Sequence, residues 1–357
     1  MNRALNCVIS GIALRIFIGL TSPQPAVAQC PSGWEQNQYR IASQDWTTTV
    51  QPVDISAIPG SNGNVPIGPG SQLATMGDGG AFLLNSSDHT IYHLTLSTLY
   101  AAPGQPEVTA SYKISDAPPT PQFPINGTLQ NIQVLGGLLY ASTDAGSLIP
   151  LQSSPLSSTA GAFNFGNPVA GMTFDGQHLW AVSGGYLWQL SPAIVSSAGT
   201  TLPRVVNKYP MAGVTPGPLA FDGSYIWMLS NGNGVSQIDP STGQQVTFVR
   251  TNYLTGTDLL FDGYDLWFGN AGHAITRMDP ATATVTNLSA PGVSVFATMG
   301  LDRHEVWAQS ASGIARYRGC DGKFIGTLAL SSTPWQAVYD GTEHWITYKN
   351  TNMLSVR

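Results

Sequence analysis

Seven apolar–turn–aromatic units at near-regular spacing and a second turn repeating in register with the first predict an all-β fold, and a chain rich in turn formers and poor in charge agrees with it. The expected architecture is a seven-bladed β-propeller of four-stranded antiparallel blades. The clearest units run from Phe174-Asp175-Gly176 to Leu179-Trp180, from Phe221-Asp222-Gly223 to Ile226-Trp227, and from Phe261-Asp262-Gly263 to Leu266-Trp267. Two looser units run from Leu301-Asp302-Arg303 to Trp307 and from Tyr339-Asp340-Gly341 to Trp345. Two degenerate ones precede them, Asp78-Gly79 to Phe82 and Val134-Leu135-Gly136 to Tyr140. The turn positions 135, 175, 222, 262, 302 and 340 are separated by 40, 47, 40, 40 and 38 residues. A spacing of about 40 residues fits one propeller blade.

One unit shows how a blade is built. Gly217 to Phe221 is an apolar run, Asp222-Gly223 a turn, and Tyr225 to Leu229 a second run of aromatic and branched residues. Apolar–Asp-Gly–apolar is a hairpin pattern. A polar loop from Ser230 to Gly234 leads to a third strand, Val235 to Ile238. Asp239-Pro240-Ser-Thr-Gly243 then turns the chain into a fourth, Gln245 to Val249. Proline presets φ at the turn, and the preceding Asp accepts hydrogen bonds from the amides that follow. Asp279-Pro280 lies 17 residues after Asp262, as Asp239 does after Asp222. Agreement at two separate turns is more than composition alone provides.

The last unit runs out of chain. Asp340 plus 17 is residue 357, the final one, so the seventh blade ends with its third strand. Tyr39 to Val50 alternates apolar and polar positions, and is predicted to supply the missing outer strand and close the ring. The 57-residue step from Asp78 to Leu135 holds a proline-rich stretch, Ser115 to Pro124, that cannot join a ladder.

The chain has 357 residues, 39 Gly and 25 Pro, with 10% charged residues against about 25% in an average domain. Arg3, the apolar run from Ile12 to Leu20 and Ala26-Val27-Ala28 resemble a secretory signal, interrupted by Arg15 and too short to span a bilayer. Residues 1–28 are therefore read as a signal segment and 29–357 as a single propeller domain, secreted or periplasmic. Removing the signal takes away two arginines and no acid, moving the net charge from −6 to −8. That balance, with only four scattered lysines, argues against nucleic acid and anionic membranes as partners. Cys7 leaves with the signal, and Cys30 and Cys320 remain to form a disulfide between the closing segment and the sixth blade.

The repeated Asp and Trp residues lie at turns and sheet interfaces, so they read as structure. Function is expected on the loops joining fourth to first strands and second to third strands, which share one face. Asp144, His273, Trp335, Tyr348 and Lys349 are the binding candidates there, and His273 and His89 the candidates for acid–base chemistry.

The Phe-Asp-Gly-x-x-Leu/Ile-Trp unit with Asp-Pro-x-Thr-Gly at the second turn resembles bacterial YVTN-type and streptogramin B lyase-like propeller repeats. The likeness covers about residues 70–357 and is most specific over 169–310. It implies a seven-bladed ring; in the lyase, a histidine and a magnesium ion open a cyclic depsipeptide by elimination. No paired histidine and acid stand at motif positions here. The expected role is binding of a protein, peptide or small-molecule ligand, without a cofactor or membrane insertion. The alternative is a metal-assisted lyase or hydrolase using Mg or Ca on the loop-rich face.

Overall fold

The computed structural model describes residues 53–55, 57–58, 65–77, 79–96, 106–116, 124–158, 161–196, 199–211, 215–230, 234–251, 258–270, 274–292, 294–301, 305–311, 313–340 and 343–356. The signal segment, Cys30 and the stretch Tyr39–Val50 lie outside the described residues. Among those described, no helix is long and apolar enough to cross a membrane.

Strands dominate. β1 (Val53–Ile55) precedes a hairpin of β2 (Ala57–Ile58) and β3 (Val65–Pro66). The first large sheet joins β4 (Gln72–Ala74), β5 (Gly80–Asn85), β6 (Thr90–Leu96) and β7 (Pro106–Tyr112). The second joins β8 (Leu129–Leu135), β9 (Leu138–Thr143), β10 (Ser147–Ser153), β11 (Leu156–Ser157) and β12 (Phe163–Asn164). The third contains β13 (Val169–Phe174), β14 (Leu179–Ser183) and β15 (Tyr186–Ser191). A hairpin of β16 (Ile194–Ser196) and β17 (Gly199–Thr201) leads to its last strand, β18 (Arg204–Pro210). The fourth is β19 (Pro216–Phe221), β20 (Ile226–Ser230), β21 (Gly234–Ile238) and β22 (Gln245–Arg250). The fifth is β23 (Leu260–Phe261), β24 (Leu266–Asn270), β25 (Ala274–Met278) and β26 (Val285–Leu288). The sixth is β27 (Val295–Leu301), β28 (Glu305–Ser310), β29 (Gly313–Arg318) and β30 (Phe324–Ala329). The last is β31 (Pro334–Tyr339), β32 (His344–Tyr348) and β33 (Leu354–Val356), with β1 outside β33.

These are antiparallel propeller blades, six of them four-stranded. The expectation of seven uniform four-stranded blades is corrected at the second sheet, which has five strands. The chain leaves β10 without a continuous outer strand. β9 occupies one edge of β10. On the other edge, β11 pairs at Gln152–Ser153 and β12 at Ser147–Leu148, one short strand at each end. The segment leading to β13 begins as strand, at Phe163–Asn164. A second correction concerns the strand outside β33. It is Val53–Ile55, in register Val53↔Val356, Asp54↔Ser355 and Ile55↔Leu354, a little later in the chain than Tyr39–Val50.

In four of the described blades the repeated unit is held by one device. Asp222 Oδ1 accepts the Ser224 and Tyr225 amides at 2.7 Å each, and Oδ2 accepts the Trp227 indole N–H at 2.7 Å. Asp175 with Trp180, Asp262 with Trp267, and Asp340 with Trp345 repeat the indole bond at 2.7, 2.8 and 2.7 Å. Burial works against ionising Asp175, but the Trp180 indole and the His178 and Gln177 amides outweigh it and hold its carboxyl below the usual range. The stabilisation this gives is present above the unfolded-state value and is lost as pH falls through the lowered one. In the sixth sheet Glu305 is an acceptor for the Trp307 indole, at 3.4 Å, and is buried against Arg316 with a 2.6 Å bond from Nε.

The indoles pack between sheets. Trp180 lies with Leu219 and Met228 of the next sheet, Trp227 with Leu266 and Phe268, and Trp267 with Val306 and Ala308. Trp345 lies against Leu73 and Leu83 of the first sheet. Each of the five tryptophans at 180, 227, 267, 307 and 345 is fully buried. The first strands of all seven sheets contribute to a central cavity of about 350 Å³.

Backbone pairing with β1 covers the outer edge of β33. A chain beginning at Ile58 is expected to unfold at lower denaturant and to self-associate through the bared edge. Unchanged unfolding and a monomeric sedimentation profile would show that β1 contributes nothing to the fold.

Candidate functional site

Loops expected to carry function are tied to each other by their own backbone. Gly70 N donates to Tyr348 O at 2.8 Å, Phe165 N to Gly146 O at 2.9 Å, Met211 N to Gly185 O at 2.9 Å and Lys349 N to Thr333 O at 3.0 Å. Side chains add to this: Asn85 accepts from Gly68 N through Oδ1 at 2.8 Å and donates from Nδ2 to Pro66 O at 2.9 Å. Each bond joins a second-to-third-strand loop to the segment leading into a first strand. Among the described residues, these bonds tie the loops of that face together.

Asp144 has a structural task there. It is exposed, and its Oδ1 accepts the Thr128 amide at 2.7 Å, fixing the entry to β8. His89 approaches the adjoining residue from the neighbouring sheet, with Nδ1 3.3 Å from Leu129 O and φ at +51°. The two candidates thus flank one dipeptide, Thr128-Leu129. Beside His89, Asp88 accepts the Tyr92 hydroxyl at 2.6 Å. Burial, with the Asp88 bond and charge added, pushes the Tyr92 phenol up to about 12.

Trp335 and Lys349 come together. Trp335 is 38% exposed, and the Lys349 ammonium stands 5.8 Å from its ring centroid, within cation–π range. Tyr348 does not join them and is corrected as a binding candidate. It is 1% exposed and packs with Trp307, Ile314 and Ile346 between the sixth and seventh sheets. Second strands are covered on both faces in this fold, so alternation along β32 gives no solvent side. His273 lies outside the described residues. Cys320 is half-buried in the turn between β29 and β30, on the face opposite these loops, where its carbonyl accepts from Arg277 Nη2 at 3.2 Å.

The other described histidines serve packing and turns. His178 Nδ1 is 3.4 Å from Asp175 Oδ2, His344 lies against Trp307 and Tyr339, and His93 stacks on Phe82. Among the described residues no three His, Cys, Asp or Glu side chains gather as a metal-binding cluster.

One group on this face was not anticipated. Tyr186 and Trp188 lie two apart on β15, and Lys208 on β18 is opposite Trp188 in the ladder. Its ammonium sits 3.8 Å from the Tyr186 centroid and 4.0 Å from that of Trp188. Phe163 and Phe165 support Trp188 edge-on at 6.1 and 5.4 Å. The signal was the aromatic pair in Gly185-Tyr-Leu-Trp188, where other third strands read Val-Ser-Gln-Ile or Ile-Thr-Arg-Met.

Comparison with known proteins gives the fold. No protein-family model matches the chain, and no curated protein matches it in sequence. Among solved structures it is similar to the β-propeller domain of Cps50 (Swd1) from Myceliophteria thermophila. The TM-score is 0.60 at 10% identity, over 85% of this chain and 98% of that domain. At that identity the likeness establishes a β-propeller and nothing narrower.

The Thr128–Asp144 bond gives a direct check. A hydrogen bond to a charged group is worth about 1.5–3 kcal/mol, so Asp144→Ala should speed exchange of the Thr128 amide by at least about tenfold, and Asp144→Asn by less. Equal exchange in all three proteins would remove the fixing role assigned to Asp144.

Proposed function

We propose that this chain is an exported, closed seven-bladed β-propeller that acts by binding a protein or peptide partner on its loop-rich face. The observation that carries the reading is the pair of exposed aromatic–lysine groups on that face, Tyr186–Trp188–Lys208 and Trp335–Lys349. Aromatic side chains supply large contact area with few rotors, and interface energy concentrates on such anchors. Loops already bonded to each other lose little entropy when a partner docks. The two groups belong to the third and seventh sheets, so a partner touching both lies across the mouth of the central cavity.

Closure is supported by the Trp345 contacts with the first sheet and by β1 outside β33. Counting the second sheet as a blade with an interrupted outer strand makes the ring seven-fold. Kinship with YVTN-type and streptogramin B lyase-like propellers is part of the proposal and rests on the Phe-Asp-Gly repeat. So are removal of residues 1–28, secretion or residence in the periplasm, and a Cys30–Cys320 bridge. By the loop-entropy estimate, closing a loop of this length contributes about 5 kcal/mol.

Affinity capture from the exported fraction of the source organism tests the reading. One partner should be retained by the wild type and by Tyr264→Ala, whose exposed ring lies on the opposite face, and lost with Trp335→Ala or Tyr186→Ala. Equal retention by all four, or loss with Tyr264→Ala alone, would overturn it. The same unreduced protein should begin at Gln29 and take up no thiol reagent; labelled Cys30 and Cys320 would refute the bridge.

A further inference from the structure

The chain is acidic overall, at −6, yet its charges divide between the two faces. Carboxylates collect at the turns: Asp175, Asp222, Asp262 and Asp340 between first and second strands, Asp239, Asp279 and Asp321 between third and fourth. The loop-side end of the third and fourth sheets is different. There the sequence over 183–186, 208–216, 230–234 and 250–257 contains Lys208 and Arg250 and no acid. The segment leading into the third sheet, 163–168, is uncharged as well. Acids return on the second sheet, at Asp144, and at the entry to the fifth, at Asp258.

Both bases are exposed near the ends of outer strands, Lys208 opposite Trp188 in the ladder and Arg250 opposite Gly234. Each has an aromatic ring at hand. The Lys208 ammonium lies over Tyr186 and Trp188 at 3.8 and 4.0 Å. Ring faces restrict an ammonium without cancelling its charge, so it can still donate to a carboxylate. Phe248 stands two residues before Arg250, on the same side of β22. It is 37% exposed, and its ring fills the space beside Gly234, where a Cβ would lie 2.2 Å from it. Arg250 therefore also emerges next to an aromatic surface.

We propose that the partner docks on this rim through an acidic peptide segment, its carboxylates paired with Lys208 and Arg250 and its apolar side chains on Tyr186 and Phe248. The proposal rests on the loop-face reading and adds the chemistry of the partner. Charge complementarity favours it, since two bases on neighbouring sheets stand in a stretch without acids. A nucleic acid or a polyuronate repeats its charge along the backbone and calls for a continuous basic track, which Asp144 and Asp258 interrupt on either side. A peptide can place carboxylates where the two bases stand and be neutral elsewhere. Complementary charge at an exposed rim acts through encounter and choice of partner, and salt screens it.

Fluorescence anisotropy of a labelled Glu–Ala–Tyr copolymer with the full chain tests the proposal, with labelled polygalacturonate alongside. The copolymer should bind at low salt and more weakly at physiological salt. Lys208→Gln and Arg250→Gln should each weaken it about threefold, and the double variant about tenfold. Lys323→Gln, which removes the same charge from the turn face, should leave binding unchanged, and melting temperatures should be equal in all variants. No binding of the copolymer at low salt, an equal loss with Lys323→Gln, or tighter binding of polygalacturonate would overturn the proposal. Affinity capture separates it from the reading beneath it. A partner lost with Tyr186→Ala but retained by the Lys208→Gln, Arg250→Gln double variant would leave the loop face as the binding surface and overturn the acidic segment.

Discussion

One carboxylate that grips two backbone amides and an indole five residues later organises this protein. At Asp222 the amide bonds shape the tight turn, while the indole bond holds Trp227 on the strand that follows. The same ring then fills the space against the next sheet. Turn geometry, strand register and packing between sheets are thereby fixed by a single side chain. Glycine after the Asp makes the turn feasible, with φ near +95° at Gly176, Gly223 and Gly263, a region that side chains with a Cβ rarely enter. In the sixth sheet a buried Glu305–Arg316 pair stands beside the Trp307 indole. An indole N–H still finds an acceptor there, because leaving one unpaired in the core is costly.

The turns are anchored on one face, and the loops meet on the other. Second-to-third-strand loops and the entries to first strands bond to each other at that end, through Gly70–Tyr348, Asp144–Thr128 and Lys349–Thr333. A face so restrained presents Trp335 and Tyr186 without ordering cost. The cavity enclosed by the first strands is a separate environment. Rigid scaffold, presented loops and an enclosed cavity are thus different outcomes of one repeated unit.

Much of the scaffold was legible in the sequence because it depends on local chemistry. The fourth sheet was placed to within a residue at most strand ends, since Asp-Gly and Asp-Pro turns act through nearest neighbours. Asp239 caps its turn as expected, accepting the Ser241 amide at 2.8 Å. What escaped depends on contacts across strands or between sheets. The Asp–Trp bond spans a hairpin. Tyr348 reads as a loop residue, whereas it ends β32 and is buried between facing sheets. Lys208 gains meaning only from its place opposite Trp188. The interrupted outer strand of the second sheet leaves no mark on the spacing of turns.

A double-mutant cycle on Asp222 and Trp227 tests most directly whether the repeated carboxylate is the element that the fold depends on. Asp222→Asn keeps an Oδ1 acceptor for the two amides and removes the acceptor for the indole; Trp227→Phe removes the indole donor. Measured by urea unfolding, Asp222→Asn should cost about 1.5–3 kcal/mol with Trp227 present and close to nothing with Phe at that position. An equal loss in both backgrounds would mean that the indole bond does not hold the blade, and that burial of the ring alone does.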